Sequence, residues 1–80
     1  MDQGNSKADT EITARIRKGI TELSDFSTNA KNVKIITQNG AVTLRGPVNS
    51  EDERMRIVQL ARSVDGVASV DNQLEIAKAQ

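Results

Sequence analysis

The densest group of side chains that could do acid–base chemistry is the carboxylate run Glu51-Asp52-Glu53. Paired carboxylates can donate and accept protons in catalysis. These residues, however, follow Ser50 in the pattern S-x-x-E, which is typical of the first turn of a helix. Acidic side chains there complement the helix dipole and complete a cap. We therefore predict structural roles for Ser50 and Glu53, and no catalytic site.

The sequence lacks the side chains that most catalytic and metal sites use. It has no cysteine and no histidine, which excludes cysteine nucleophiles, thiolate metal sites and Ser-His-Asp catalysis. Carboxylates alone would bind a metal weakly, and no EF-hand spacing is present. Neither glycine-rich phosphate-binding motif occurs. We predict a protein that is not an enzyme and that has no cofactor and no metal.

Charge and hydropathy narrow the class of partner. The 11 basic and 11 acidic residues give a net charge of zero, whereas dedicated nucleic-acid binders are usually clearly basic. Phe26 is the only aromatic residue, so bases would have no stacking platform. No apolar run approaches the roughly 20 residues that span a bilayer, and no signal peptide follows Met1. We expect no nucleic-acid partner and no transmembrane segment.

Basic side chains beside apolar ones are the remaining candidate binding groups. Arg15, Arg17 and Lys18 form one such group, and Arg54, Arg56 and Arg62 form a sparser one. Each Lys or Arg near an anionic lipid surface contributes about 1 kcal/mol, so three give millimolar-range binding. A solvated helix face is the alternative interpretation of both groups.

Apolar spacing predicts an amphipathic helix over residues 10–24, with Asp9 or Thr10 as its N-cap. Its buried face is formed by Ile12, Ile16, Ile20 and Leu23. Gly19 within this helix indicates close packing against a neighbour. The loop 24–32 carries Phe26, which we expect in the core.

Two β-branched runs, 33–37 and 42–45, predict a hairpin around Asn39-Gly40, a pair that favours a type I′ turn. Gly46 and Pro47 are expected to end the second strand. Side-chain alternation divides the hairpin into two faces. The core face has Val33, Ile35, Val42 and Leu44, and the outer face has Lys34, Ile36, Thr43 and Arg45. The outer face or a free sheet edge could bind a protein partner, with Ile36 as the apolar centre.

A second helix is predicted over residues 50–65, followed by Gly66 in a left-handed conformation. A last strand over 67–76 places Val70, Leu74 and Ile76 on one apolar face. The order α-β-β-α-β, with a right-handed crossover, gives an α+β fold in which two helices pack on one face of a three-stranded mixed sheet. The expected organisation is a disordered lead-in or linker at 1–8, a domain at 9–77 and a flexible tail at 78–80.

Several stretches resemble the BON domain family. Asn39–Val48 resembles its central signature N-G-x-V-T-L-x-G-x-V, and Ala61–Leu74 resembles its ending A-x-x-V-x-G-V-x-x-V-x-N-x-L. Ile12–Ile16 resembles the opening of its first helix. Pro47 departs from the small polar residue common in the family, and we expect it to stiffen the strand exit without changing the fold. The motif residues of this resemblance are Asn39, Gly40, Gly46, Ser50, Glu53 and Gly66.

The resemblance implies a non-catalytic domain of a bacterial envelope protein that binds anionic phospholipid membranes, in envelope integrity or osmotic stress. It also implies a periplasmic location, with a signal sequence, lipoprotein anchor or other membrane attachment outside this sequence. The alternative is a protein–protein interaction module that binds an envelope protein; a monomer is favoured. The candidate lipid-binding residues are Arg15, Arg17, Lys18, Arg54 and Arg56. The candidate partner-binding residues are Lys34, Ile36 and Arg45.

Overall fold

The computed structural model describes residues 7–22 and 26–77. The elements in chain order are α1 (Lys7–Glu22), α2 (Thr28–Lys31), β1 (Lys34–Gln38), β2 (Ala41–Val48), α3 (Glu51–Arg62) and β3 (Ser69–Ile76). This order confirms the predicted α-β-β-α-β arrangement and adds the short helix α2. Lys7 and Ala8, predicted in the lead-in, belong to α1. The rest of the lead-in, Leu23 and the tail 78–80 lie outside the described residues.

The short helix α2 occupies part of the segment that was predicted to be a loop. Ser27 is its N-cap, and the Ser27 hydroxyl accepts a hydrogen bond from the backbone N–H of Ala30 at 3.1 Å. A helix of four residues is too short to show apolar periodicity, so the sequence pattern could not reveal it.

The sheet is mixed, as predicted, with the strand order β1-β2-β3. β1 pairs antiparallel with β2, and β2 pairs parallel with β3. Asn39 and Gly40 have φ angles of 53° and 83°, which is the positive-φ pair of a type I′ turn. The register that this turn sets confirms the two predicted faces of the hairpin, because Val42 and Leu44 are buried while Ile36 is exposed.

The prediction that Gly46 and Pro47 end the second strand is wrong, since β2 continues to Val48. Arg45 is the last β2 residue opposite β1, and Pro47 pairs only with Glu75 of β3. Proline is tolerated at this position because one side of β2 has no neighbouring strand there.

Both long helices pack on the same face of the sheet, with α1 against β1 and α3 against β3. Phe26 is buried with only 4% of its surface exposed, as predicted. The largest fully buried side chains are Ile16, Ile20, Val33, Val42, Leu44, Val48 and Ile57. Each such side chain stabilises the fold by about 1.5–3 kcal/mol relative to an exposed position.

Gly19 lies where α1 and α3 meet. A Cβ atom at this position would come within 2.9 Å of both Cδ atoms of Leu60. The close approach of the two helices therefore depends on a residue without a side chain, which confirms the expected packing role of Gly19.

The last strand is less buried than its alternation suggests. Leu74 is 4% exposed, but Ile76 is 40% exposed. Ile76 is the final residue of β3, and β3 is an edge strand. Of the apolar face predicted for this strand, Leu74 is therefore covered by the core and Ile76 is not.

The second long helix starts and ends differently from the prediction of 50–65. Ser50 is its N-cap and accepts a hydrogen bond from the backbone N–H of Glu53 at 3.1 Å, which confirms the predicted cap. The helix ends at Arg62. Gly66 has the expected left-handed conformation, with a φ of 95°, but it lies in a further turn, which the N–H of Val67 closes by bonding the carbonyl of Val64.

The carboxylate of Glu53 connects three segments of the chain. One oxygen accepts from the backbone N–H of Asn49 at 2.8 Å and from the Ser27 hydroxyl at 2.9 Å, and the other accepts from the Ser27 N–H at 2.7 Å. A standard capping box would bond the N–H of Ser50 instead. Glu53 thus holds α2 against the start of α3.

The environment of Glu53 favours its ionised form. Burial opposes ionisation, but the hydrogen bonds from the backbone of Asn49 and Ser27 and from the Ser27 hydroxyl, together with the charge of Arg56, outweigh it. The pKa of Glu53 is therefore lowered from its ordinary value of 4.5.

Asp9 lies on the buried side of α1, with 3% of its surface exposed. Its two carboxylate oxygens accept hydrogen bonds from the backbone N–H groups of Asn39, at 2.7 Å, and Gly40, at 3.0 Å. The prediction that Asp9 or Thr10 is the N-cap of the first helix is wrong, because α1 already includes Lys7. Asp9 instead fixes the hairpin turn on α1.

Gly40→Ala is expected to lower the free energy of unfolding by about 1–3 kcal/mol or more. Gly40 has a φ of 83°, and an added Cβ would lie 2.9 Å from the backbone oxygen of Gly66. Urea denaturation measures the change. Ala41→Ser, at an exposed neighbouring position, is the control and should stay within about 0.5 kcal/mol of the unmodified chain. Equal stability of the Gly40→Ala variant would contradict this account of the turn.

Glu53→Gln is expected to reduce stability at neutral pH by about 1–3 kcal/mol, because a carboxamide cannot accept all the bonds that the carboxylate accepts. The unmodified chain should itself lose stability as the pH falls below 4.5, since the unfolded chain then binds a proton that the folded Glu53 resists. Denaturation as a function of pH measures both effects. The Glu53→Gln variant should lack this part of the acid dependence, and an unchanged profile would count against the proposed role.

Candidate functional site

Of the three α1 cations predicted to bind lipid, Arg15 and Lys18 are exposed. Lys18 lies 4.0 Å from the carboxylate of Glu22, and these side chains are 70% and 64% exposed. An ion pair this exposed is weak. Arg15 is exposed and makes no hydrogen bond or ion pair with any described residue. Both side chains are therefore available to an anionic ligand.

Arg17, the third residue of the predicted α1 group, is engaged within the domain. Its guanidinium donates hydrogen bonds of 2.8 Å to the backbone carbonyls of Lys31 and Val33. These bonds attach α1 to the segment between α2 and β1. The structure therefore separates Arg17 from Arg15 and Lys18.

The arginines of α3 are close to carboxylates of the same helix. Arg54 forms an ion pair with Glu51. Arg56 lies 3.9 Å from Asp52, and its guanidinium lies 5.1 Å from the centre of the Phe26 ring. A cation over an aromatic face gains about 0.5–2 kcal/mol, so Arg56 also stabilises the packing of Phe26.

Arg62 in the last turn of α3 is exposed, and within the described ranges it forms no ion pair. The sequence pattern grouped it with Arg54 and Arg56, but its surroundings differ because the acidic residues of α3 lie in the first turn. Arg62 therefore joins Arg15 and Lys18 as an available cation. We call these three residues the helical cations.

The helical cations lie on a single layer of the fold. The helices α1 and α3 pack side by side on the sheet and touch at Gly19 and Leu60. Arg62 lies away from Arg15, in a cleft that it shares with Asn72 of β3. The helices form the outer surface on this side of the fold. This surface also carries exposed carboxylates, including Glu11 and Glu22. Its attraction for an anion is consequently modest.

Lys34, Ile36 and Arg45 lie together on the open face of the sheet, as the alternation predicted. Lys34 is directly opposite Arg45, and Ile36 is opposite Thr43. Like charges in directly opposite positions destabilise a sheet, and within residues 7–22 and 26–77 neither cation forms an ion pair. Ile36 is 37% exposed beside them.

The part of this open face that β3 forms is acidic. β3 contributes Asp71, in register with Thr43, and Glu75, in register with Pro47. The face therefore has basic side chains towards β1 and acidic ones on β3.

Metal ligands and apolar helices also bear on what the domain can bind. Among the described residues, no group of three or more His, Cys, Asp or Glu side chains could hold a metal ion. None of the described helices is long and apolar enough to cross a membrane. Most motif residues serve the turns and caps of the fold, whereas Gly46 lies within β2, with a φ of 130° and next to Val33.

The family model described as BON domain matches residues 8–78 of this chain. A curated relative, Osmotically-inducible protein Y of Escherichia coli (strain K12), is 37% identical over 67 residues. The matched region covers 84% of this chain and 32% of that relative, so the chain spans about a third of the relative's length. With the match extending over nearly all of the sequence and the predicted fold present, the chain belongs to the BON domain family.

Proposed function

We propose that this BON domain binds anionic phospholipid membrane surfaces without catalysis, as part of a periplasmic envelope protein in osmotic stress or envelope integrity. The similarity to an osmotically inducible protein supports the physiological context. The observation that carries the binding site is the exposure of Arg15 and Lys18 on α1, with Arg62 on the adjacent helix.

The expected affinity of one domain is low. Three available cations contribute about 3 kcal/mol near an anionic surface, which corresponds to millimolar binding. The nearby carboxylates reduce this further. A functional membrane association therefore requires a second attachment in the same protein, such as another binding domain or a lipid anchor. The affinity of that attachment would multiply the affinity that the helical cations provide.

The internal bonds of the other predicted residues define their part in this proposal. Arg17 is a structural cation, since it bonds two backbone carbonyls. Arg54 and Arg56 approach lipid only as members of ion pairs with Glu51 and Asp52. Charge reversal at Arg17 would disturb the fold and would not test lipid binding.

The double variant Arg15→Glu, Lys18→Glu is expected to weaken co-sedimentation with phosphatidylglycerol vesicles by roughly 30-fold or more, since it removes about 2 kcal/mol of attraction. Binding of the unmodified domain should be absent on neutral phosphatidylcholine vesicles and should decrease with salt, because exposed charges are screened.

The matched control is Lys34→Glu, Arg45→Glu on the open sheet face, which changes the net charge by the same amount. It should leave vesicle binding near that of the unmodified domain apart from a general charge effect. If both double variants lose binding equally, the helical site is wrong. If the unmodified domain does not bind anionic vesicles at low salt, the lipid proposal itself is wrong.

The open sheet face supports a second candidate function, recognition of an envelope protein. The specific observation is that Lys34 and Arg45 oppose each other beside the exposed Ile36. Such an arrangement costs stability in the free domain, and a partner with acidic and apolar groups would relieve that cost.

Ile36→Asp is expected to abolish a protein interaction at this face, because it removes the apolar centre and places a charge there. NMR titration with an envelope protein extract measures the effect through the resonances of Lys34, Ile36 and Arg45, whose shifts should persist at high salt. Gln59→Asp, which introduces the same charge at an exposed position of α3, is the control. The candidate fails if no sheet resonance of the unmodified domain moves.

A further inference from the structure

We infer that Asn39 is a site of spontaneous deamidation and that the buried carboxylate of Asp9 slows this reaction in the folded domain. The inference is independent of the lipid proposal. It concerns the Asn39-Gly40 turn, whose conformation defines the hairpin.

The reaction begins when the backbone nitrogen of Gly40 attacks Cγ of Asn39. A bond forms between these atoms, and the bond from Cγ to the amide nitrogen breaks. Ammonia leaves, taking the proton of the Gly40 N–H, and a five-membered succinimide remains. Water then opens either carbonyl of the ring and gives aspartate or isoaspartate. No oxidant or reductant is required.

A glycine after asparagine leaves the attacking nitrogen with the least steric protection, because glycine has no side chain. The Asn39 side chain is exposed and forms no hydrogen bond with any described residue. It also lines an open cleft shared with Gly66 and Asp65. The Asn39 side chain, which carries the electrophilic Cγ, is therefore not held by a hydrogen bond to a described residue, and water has access to it.

The nucleophile, in contrast, is held. The Gly40 N–H donates to Asp9 Oδ1 at 3.0 Å in a buried position. The Gly40 carbonyl accepts from the backbone N–H of Ala68 at 2.8 Å. Both peptide units that flank the Gly40 Cα are thus held, and movement of the nitrogen towards Cγ strains or breaks its own bond to Asp9.

Ring closure also conflicts with the charge of Asp9. The succinimide nitrogen has no hydrogen, so ring closure removes the hydrogen bond that Gly40 donates to Asp9 at a site only 3% exposed. The carboxylate further disfavours the negative charge that develops on the attacking nitrogen. Carboxylates are far too weak as bases to remove an amide proton, so Asp9 acts as a restraint and not as a catalyst.

The product would weaken the same contact. A carboxylate at position 39 adds a negative charge beside Asp9, whose Oδ2 lies 2.7 Å from the Asn39 nitrogen. Isoaspartate adds one backbone carbon to a turn of two residues. Either product is expected to loosen the attachment of α1 to the hairpin.

The test compares Asp9→Asn with the unmodified chain during incubation at neutral pH. Mass spectrometry of proteolytic peptides measures deamidation at each asparagine. Loss of a charged hydrogen-bond partner is expected to accelerate modification at Asn39 about tenfold. Adding Asn39→Gly, which keeps the type I′ preference, should abolish the signal from this peptide.

A matched core variant separates local release from general unfolding. Ile57→Val destabilises the fully buried core without touching the turn, and it should leave the rate at Asn39 nearly unchanged. The inference is overturned if Ile57→Val accelerates the reaction as much as Asp9→Asn, or if Asp9→Asn has no effect.

A second measurement covers the case in which Asp9→Asn does not fold. For the unmodified chain, folding should slow deamidation at Asn39, relative to the same chain in urea, more than at Asn49. The N–H of Ser50, which follows Asn49, has no carboxylate partner among the described residues. Equal protection at both sites would show that Asp9 provides none of its own.

Discussion

The register of the hairpin is set by the Asn39-Gly40 turn, and two hydrogen bonds hold this turn to Asp9 of α1. In a hairpin, a shift of one residue moves every side chain to the opposite face. The turn therefore decides that Leu44 is buried and that Lys34 and Ile36 are exposed. Because the carboxylate comes from a helix, the same contact also fixes where α1 lies on the sheet.

Charged side chains do much of the fastening in this small fold. Asp9 holds the hairpin, Glu53 holds α2 at the start of α3, and Arg17 bonds the carbonyls of Lys31 and Val33. Each side chain bonds backbone groups that belong to no regular element or lie at the end of one. Buried backbone groups of this kind must find partners, and long charged side chains reach them across the domain. The cations that remain for an external ligand are consequently fewer than the sequence contains.

Local patterns predicted the elements and the faces well. The spacing of Ile12, Ile16 and Ile20 and the alternation around Asn39-Gly40 depend only on neighbouring residues, so the sequence displays them directly. Asp9 stands three residues before Ile12 and so continues the same spacing, but we predicted it only as a helix cap because of its chemistry. The role of Arg17 depends on carbonyls 14 and 16 residues away, and no local pattern reports such a partner. β2 can continue through Pro47 because β1 begins at Lys34, opposite Arg45, and leaves no strand beside Pro47 on that side. The residues around Pro47 do not show where β1 begins.

Several cations are bonded within the domain, and this limits how strongly the domain alone can bind an anionic surface. A net charge of zero gives no long-range attraction to an anionic surface, and the local attraction of Arg15, Lys18 and Arg62 corresponds to only millimolar affinity. The open sheet face lies on the opposite side of the domain from the helices that carry these cations, because the core lies between them. If the helix layer binds lipid and the sheet face binds a protein as we propose, both contacts can form at once, and each raises the effective concentration for the other. Weak binding at each surface is then compatible with stable attachment.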